Sequence, residues 1–144
     1  MPEIVPEGFA PFTRESPLLA PWRPLFAREG ADRVVIGLTV AEPHCNSRGT
    51  AHGGLLAALA DQAMGMSASV ALRREGLAVT NLWTTSMTVD YLGPAKLGQW
   101  LEFETVFTKG GRTSCHAEAD IRADGKTVAR ARGAFRVALQ GEPA

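Results

Sequence analysis

The spacing of hydrophobic residues along the chain changes once, close to Gly76. From Gly53 onward, Leu, Ala, Met and Ser run for about twenty residues without a proline, and this predicts one long helix over 53–72. Arg73, Arg74 and Gly76 supply its stop, cations in the last turn with glycine after them. Beyond that point a period of two takes over and persists. It predicts a strand over 78–92, a turn at 93–98, and further strands over 99–109, 112–123 and 126–139. In the third of these strands Thr113, Cys115, Ala117, Ala119 and Ile121 share one face, and Ser114, His116, Glu118 and Asp120 the other. The last strand sets Arg130, Arg132 and Arg136 against Ala129, Ala131, Phe135 and Val137. Lys109-Gly110-Gly111-Arg112 and Asp124-Gly125 predict tight hairpins, because glycine accepts positive φ at no steric cost. Ahead of the helix, the β-branched run within 32–42 predicts a first strand. The first 30 residues hold most of the prolines, with Phe9, Phe12, Leu18, Leu19, Trp22 and Phe26 among them. They predict an irregular or short-helical arm laid on the body.

Strand, long helix and four antiparallel strands make an α+β layer design. A curved antiparallel sheet of about five to six strands wraps a central helix that is apolar on most sides. A length of 144 residues suits a single domain spanning 1–144.

Composition narrows the function. The formal net charge is +0, with 45% hydrophobic and 21% charged residues, and no basic block to capture nucleic acid or an anionic membrane. No apolar run is read as approaching the roughly 20 residues of a membrane helix. The N-terminus lacks the basic start and apolar stretch of a secretory signal, so a cytoplasmic location is expected. Cys45 and Cys115 are too few and too far apart for a disulfide framework. His44, Cys45, His52, Cys115 and His116 lack metal-site spacing, so no metal and no cofactor is expected.

The chemistry concentrates in 46-NSRGTAHGGLLAALADQ-62, where an acid stands in the middle of a small-residue helix. A carboxylate buried without partners costs several kcal/mol, so Asp61 is exposed, paired or kept for chemistry. Its neighbours one turn away are Ala57, Ala58, Met64 and Gly65, a shallow groove. Gly65 costs about 1 kcal/mol of helix propensity relative to Ala. Gly53 and Gly54 open the helix where backbone N–H groups have no intrahelical partner, which suits an anion or a developing oxyanion. Asp61 stands eight residues beyond Gly53, about 12 Å along the axis. Either the two groups serve different purposes, or a two-fold dimer brings Asp61 of one chain beside Gly53 of the other.

Asn46, the run 49-GTAHGGLLAALAD-61, Thr84 and 91-YLGPAKLG-98 together resemble the hotdog-fold acyl-CoA thioesterases of the phenylacetic-acid-degradation (PaaI) type. These motifs span about half the chain. The resemblance implies hydrolysis of an acyl-CoA to a free acid and CoA by a homo-oligomer, a dimer or a dimer of dimers. It implies that the Gly53 N–H holds the thioester oxygen and that Asp61 of the partner subunit activates water or attacks the thioester. Asn46 would orient thioester or water, Thr84 would place the water, and His52 would shape the helix entry. The hydroxyl position is uncertain among Thr84, Thr85 and Ser86. CoA would lie near Gly54, Tyr91, Pro94 and Lys96 and near the hairpin of Lys109, Gly110, Gly111 and Arg112. Trp83, Met87 and Tyr91 are candidate acyl-pocket walls. A non-catalytic acyl-CoA sensor on the same fold is the alternative; it would call for an output element, and no DNA-binding segment is read in this neutral sequence. Enoyl-CoA hydration would call for an acid between Pro43 and Gly54, and there is none.

Overall fold

In the computed structural model, which describes residues 4–142, seven strands form one antiparallel sheet under a single α-helix. The strands are β1 (Ala10–Pro11), β2 (Phe26–Glu29), β3 (Val34–Thr39), β4 (Val79–Tyr91), β5 (Trp100–Gly110), β6 (Ser114–Ala123) and β7 (Lys126–Leu139). Their spatial order is β1-β2-β3-β5-β6-β7-β4. The helix α1 covers Gly53–Arg74 and enters between β3 and β4 in sequence. From α1 onward the predicted elements stand within one or two residues of their expected limits, and β7 matches 126–139, whereas the strand expected within 32–42 is shorter, Val34–Thr39. The strand count exceeds the expected five to six because the arm contributes two strands. Phe26 to Glu29 pairs with Val34 to Gly37, and Ala10 and Pro11 pair with Ala27 and Phe26. The arm is therefore partly sheet, with a 3₁₀ turn at Ala20–Trp22. Its first three residues lie outside the described ones.

Helix and sheet meet through an apolar seam. Leu55, Leu56, Leu59, Ala60, Ala63, Met64, Ala68 and Leu72 are buried against Ile36, Leu38, Leu101, Phe103, Ala117, Ile121 and Ala131, among others. Leu59, Ala60, Ala63 and Met64 are each 0% exposed; burying one Leu or Met side chain contributes roughly 1.5–3 kcal/mol. One polar group enters the seam with its bonds complete. The Ser67 hydroxyl accepts the Val34 N–H at 3.0 Å and donates to the Val34 carbonyl at 3.2 Å, tying the middle of α1 to the start of β3. By length and composition α1, at 22 residues, is also apolar enough to cross a membrane. That corrects the reading that no run approaches this length; a core helix passes the same test, and α1 packs against five strands.

Two hairpins show different physics. Asp124 and Gly125 both take positive φ, 47° and 82°, as a two-residue hairpin turn requires. Gly110 and Gly111 do not have positive φ, so the reason expected for them is wrong. A Cβ on Gly110 would stand 2.7 Å from the Cys115 Cβ, so glycine is needed there for close approach across the hairpin. On the outward face, Arg122 bonds Glu104 at 2.8 Å and Arg130 bonds Asp120 at 2.9 Å, in a ladder of exposed and half-buried ion pairs. Exposed pairs of this kind contribute at most about 1 kcal/mol each.

Candidate active site

The loop before α1 is held tightly. Asn46 accepts the Arg48 N–H (2.9 Å) and the Thr50 N–H (3.3 Å) on its side-chain oxygen and donates to the Thr50 hydroxyl at 3.0 Å. This is the Asx-type closure that short polar side chains favour. The Asn46 amide carries two N–H groups, and Thr50 takes one. Ala51 donates to the Ala95 carbonyl and His52 to the His44 carbonyl. These bonds fasten the loop to the 93–98 turn and to the buried His44. His44 in turn accepts the Ala41 N–H on Nδ1 and donates from Nε2 to the Trp22 carbonyl at 2.7 Å.

His52 caps the helix. Its backbone is extended and its Nδ1 accepts the Gly54 N–H at 2.8 Å, so its proton, when neutral, sits on Nε2. The Gly54 donor is consumed by this bond. The Gly53 N–H meets no acceptor among the described residues, and it stands at the positive end of a 22-residue helix. Tyr91 lies over Gly53: its hydroxyl donates to the Gly53 carbonyl at 2.7 Å, and a Cβ on Gly53 would be 3.2 Å from the ring. Any side chain here would push the ring away.

Asp61 is half-buried. The Thr84 hydroxyl donates to its Oδ1 at 2.5 Å. Among the three hydroxyls in question it is Thr84 that reaches the acid, since Thr85 donates instead to the Ala134 carbonyl at 3.1 Å. A bulge between Thr84 and Ser86 separates the two orientations. Asp61 and Thr84 line a cavity of about 240 Å³ with Arg14, Gln62, Gly65, Met66, Ser69, Arg73, Val79, Thr80, Asn81, Leu82 and Phe135. Trp83 is 40% exposed and pairs in register with the outward Arg136, and Met87 packs on the main core, so neither lines this cavity. Sequence reasoning missed Arg14 and Arg73 as lining residues. The i+4 spacing of Asp61, Gly65, Ser69 and Arg73 could have signalled the latter; no local pattern signals Arg14.

The remaining candidates divide into two groups. Tyr91, Pro94 and Lys96 lie at the Gly53 end, where Lys96 bridges to Thr50. Lys109 and Gly110 close the far end of β5, with Gly111 and Arg112 just beyond it, nine to ten residues along that strand from Trp100, roughly 30 Å. Arg112 pairs there with Glu142 at 3.3 Å. Within one chain the two groups cannot hold one ligand together with Gly53. A wider depression of about 760 Å³ beside the arm, lined by Pro6, Pro24, Thr39 and Trp100 among others, contains none of these candidates. Among the described residues, no three of His, Cys, Asp or Glu stand close enough to hold a metal ion.

Residues 48–129 match the family model described as Thioesterase superfamily. The chain is 41% identical over 134 residues to the protein named "Putative esterase PA0474" of Pseudomonas aeruginosa, covering 92% of this chain and 97% of that one. The crystal structure of a hypothetical thioesterase protein with coenzyme A from Streptococcus pneumoniae superposes with a TM-score of 0.68 at 30% identity, over 82% of this chain and 91% of that one. The same protein has been solved with a Thr and with an Asp replaced by Ala. An Asn-to-Asp variant of the phenylacetic acid degradation protein PaaI from Thermus thermophilus superposes with a TM-score of 0.72 at 25% identity, over 84% and 98% of the two chains. The chain thus belongs to the thioesterase superfamily, among the hotdog-fold thioester hydrolases of the PaaI type.

Proposed function

We propose that the protein hydrolyses an acyl-CoA thioester to a free carboxylic acid and CoA, at two equivalent sites built between two copies of the chain. The observation that carries this reading is the contact of Thr84 with Asp61. It joins the acid of α1 to β4, a strand whose outer edge has no partner among the described residues. Gly53 and Asp61 sit on one unbroken helix, about 12 Å apart along its axis, so a single thioester carbonyl cannot touch both in one chain. A second copy removes the difficulty. If two β4 edges pair antiparallel about a two-fold axis near Met87 and Thr88, the Thr84 and Asp61 of one copy face the partner's Tyr91 and the partner's Gly53. The same axis carries the hairpin of Lys109 and Arg112 toward the partner's Lys96, reuniting the candidate CoA-binding cations.

Each group then has a task. The Gly53 N–H donates to the thioester oxygen as it gains negative charge. Asp61, steadied by the Thr84 hydroxyl, drives attack at the carbonyl carbon. The C–O bond forms, the C–S bond breaks, and the thiolate of CoA leaves with a proton that originates in water. Asn46 directs its remaining amide N–H toward the same crevice, and His52 sets the helix entry. The coenzyme A seen with the Streptococcus pneumoniae protein supports the ligand class. Replacements of an Asn, an Asp and a Thr in these relatives concern the residue types of Asn46, Asp61 and Thr84.

The test is a panel of acyl-CoAs read by a thiol-reactive dye, followed by mixed dimers. Burial raises the pKa of both Cys45 and Cys115, which keeps the protein's own thiols quiet toward the dye. Release of CoA is expected; a protein that binds the esters and releases none is a sensor instead. Dimers pairing an Asn46→Ala chain with an Asp61→Asn chain should keep one intact site, whereas either parent alone is inactive. Uniform inactivity of the mixed dimers would rule out sites shared between chains. Single turnover in ¹⁸O-water then separates water activation from direct attack by Asp61. Label in the product acid alone is expected for water activation, whereas label in Asp61 marks direct attack and an anhydride opened by water at the aspartyl carbonyl.

A further inference from the structure

The cavity at Asp61 is the one feature whose chemistry the hydrolase reading leaves unexplained. Along α1 its wall includes Asp61, Gly65, Ser69 and Arg73, a stripe at steps of four residues along one side of the helix. Small residues separate an acid at one end from a guanidinium at the other, about 18 Å further along the axis. Packing does not demand the glycine in this stripe. A Cβ on Gly65 would meet only a Phe135 ring carbon at 3.7 Å, an ordinary contact. Arg14 enters the same cavity from the N-terminal arm. Its backbone carbonyl is tied by the Arg23 guanidinium at 3.1 Å, which fixes the arm at that point. Arg73 donates one N–H to the Val79 carbonyl at 2.9 Å and has further donors to spare. Among the described residues neither guanidinium lies within salt-bridge distance of a carboxylate; the arginine ion pairs are made by Arg33, Arg112, Arg122 and Arg130. Gln62, Thr80 and Asn81 add polar lining, beside the apolar Met66, Val79, Leu82 and Phe135.

A plain alkyl chain would desolvate these groups and give them nothing in return. We infer that the acyl group ends in an anion: the preferred substrates are ω-carboxyacyl thioesters, whose distal carboxylate is received by Arg14 and Arg73 while the thioester lies at Asp61. The inference rests on the hydrolase reading and names the substrate class of that same site. Two guanidinium forks suit a carboxylate through paired, charge-assisted N–H···O bonds. A volume of about 240 Å³, just under the roughly 300 Å³ at which drug-sized pockets begin, limits the chain to a short one. The helix rise, less the reach of an arginine leaning back toward the N-terminus, suits about six to eight carbons.

Matched esters test it: adipoyl-CoA against hexanoyl-CoA, and suberoyl-CoA against octanoyl-CoA. The ratio of kcat/KM, carboxylated over neutral, should exceed about 10 in the wild type, since a site built for a charged group rejects the analogue that lacks it. Arg14→Gln and Arg73→Gln should each lower that ratio about 10-fold, and Arg73→Lys should restore part of it by keeping the charge. Arg14 is exposed on the arm, so its variant keeps the test available should Arg73→Gln weaken the helix end. A wild-type ratio at or below one overturns the inference. So does an equal loss on both esters, which would mean that the arginines serve the CoA phosphates. Thermal shifts with free suberate and the neutral octanamide separate this failure from failure of the hydrolase reading. If no ester is hydrolysed yet suberate alone stabilises the protein, and does so through Arg14 and Arg73, the anion site stands and the hydrolase does not. Equal stabilisation by octanamide removes the anion site whatever the enzyme does.

Discussion

The two edges of the sheet are opposites. At one end of the strand order β1 is two residues long, Ala10 and Pro11, and proline cannot extend a ladder. The arm that carries it is anchored on the neighbouring strands. Phe9 meets Trp100 edge-on with ring centroids 5.2 Å apart, and the Arg28 guanidinium sits 4.8 Å above the Phe9 ring. At the other end, β4 runs for thirteen residues, VTNLWTTSMTVDY, with Asp90 as its one charged side chain and no proline or lysine. Natural sheets blunt their edges with short strands, prolines and charges. One edge here has those devices, while the other has only Asp90 near its end and the bulge at Thr84–Ser86, so the barer one is where another strand is expected. Asp61, Thr84 and Tyr91 all belong to that side. One edge finishes the fold; the other, on our reading, completes the enzyme.

The sharpest way to separate the edges is a lesion at each. Asp61→Asn keeps an oxygen for the Thr84 hydroxyl and removes the charge. It should lower kcat about 10³-fold, within the range for loss of an acid–base group, with the thermal midpoint and oligomer mass unchanged. Trp100→Ala strips the covered edge of its aromatic contacts. Because Trp100 is only half-buried, a cost of about 2–3 kcal/mol is expected, at the lower end for such truncations, while the folded fraction turns over normally. An Asp61→Asn enzyme retaining most of its activity would leave the bare edge without chemistry.

A smaller effect tests the pairing itself. Thr88 lies beside the inferred two-fold axis, so Thr88→Lys sets like charges against each other across the edges. The dimer should dissociate on dilution and lose activity roughly 10-fold or more, as a unit that binds only in pairs must. Mixing Thr88→Lys with Thr88→Glu chains should restore both mass and turnover, because the repulsion then becomes attraction. Light scattering and specific activity across a dilution series read the two together. A Thr88→Lys protein that stays dimeric and active would place the axis elsewhere.

How much of this was legible depended on how local the cause was. Strand β7 stands where period two put it, since Ala129, Ala131, Phe135 and Val137 turn inward and Arg130, Arg132 and Arg136 outward in strict alternation. Helix α1 was legible from its start at Gly53 to its stop at Gly76, where φ is +91°, although the cap at His52 emerged only in the structure. Strand β2 was not, because Phe26-Ala27-Arg28-Glu29 is too short to show a period and exists through pairing with β3. Within the site, the motif pointed to Asp61 and Gly53, but their partners came from elsewhere in the chain. Thr84 could be assigned among its neighbours only after the bulge was seen. Gly54 was a candidate for binding, yet its N–H goes to His52. Arg14 reaches the cavity through a long-range placement of the arm that no spacing encodes.

The mildest change concerns Gly65, and it separates what the fold needs from what the cavity needs. Gly65 lies in the middle of α1, where glycine costs about 1 kcal/mol against alanine. Its added Cβ would find Phe135 at 3.7 Å and nothing closer, so Gly65→Ala should stabilise the protein by up to about 1 kcal/mol and raise the midpoint by about 3 °C. The new methyl would project into the space beside Asp61. A few-fold rise in KM is expected, larger for the longer of two acyl chains, because closing space in a pocket costs about as much as one methylene. A variant that is more stable and equally active on every chain length would mean that the acyl group does not pass Gly65. Gain of stability with loss of fit would mean that the helix gives up propensity to keep a channel open on the side of the sheet's bare edge.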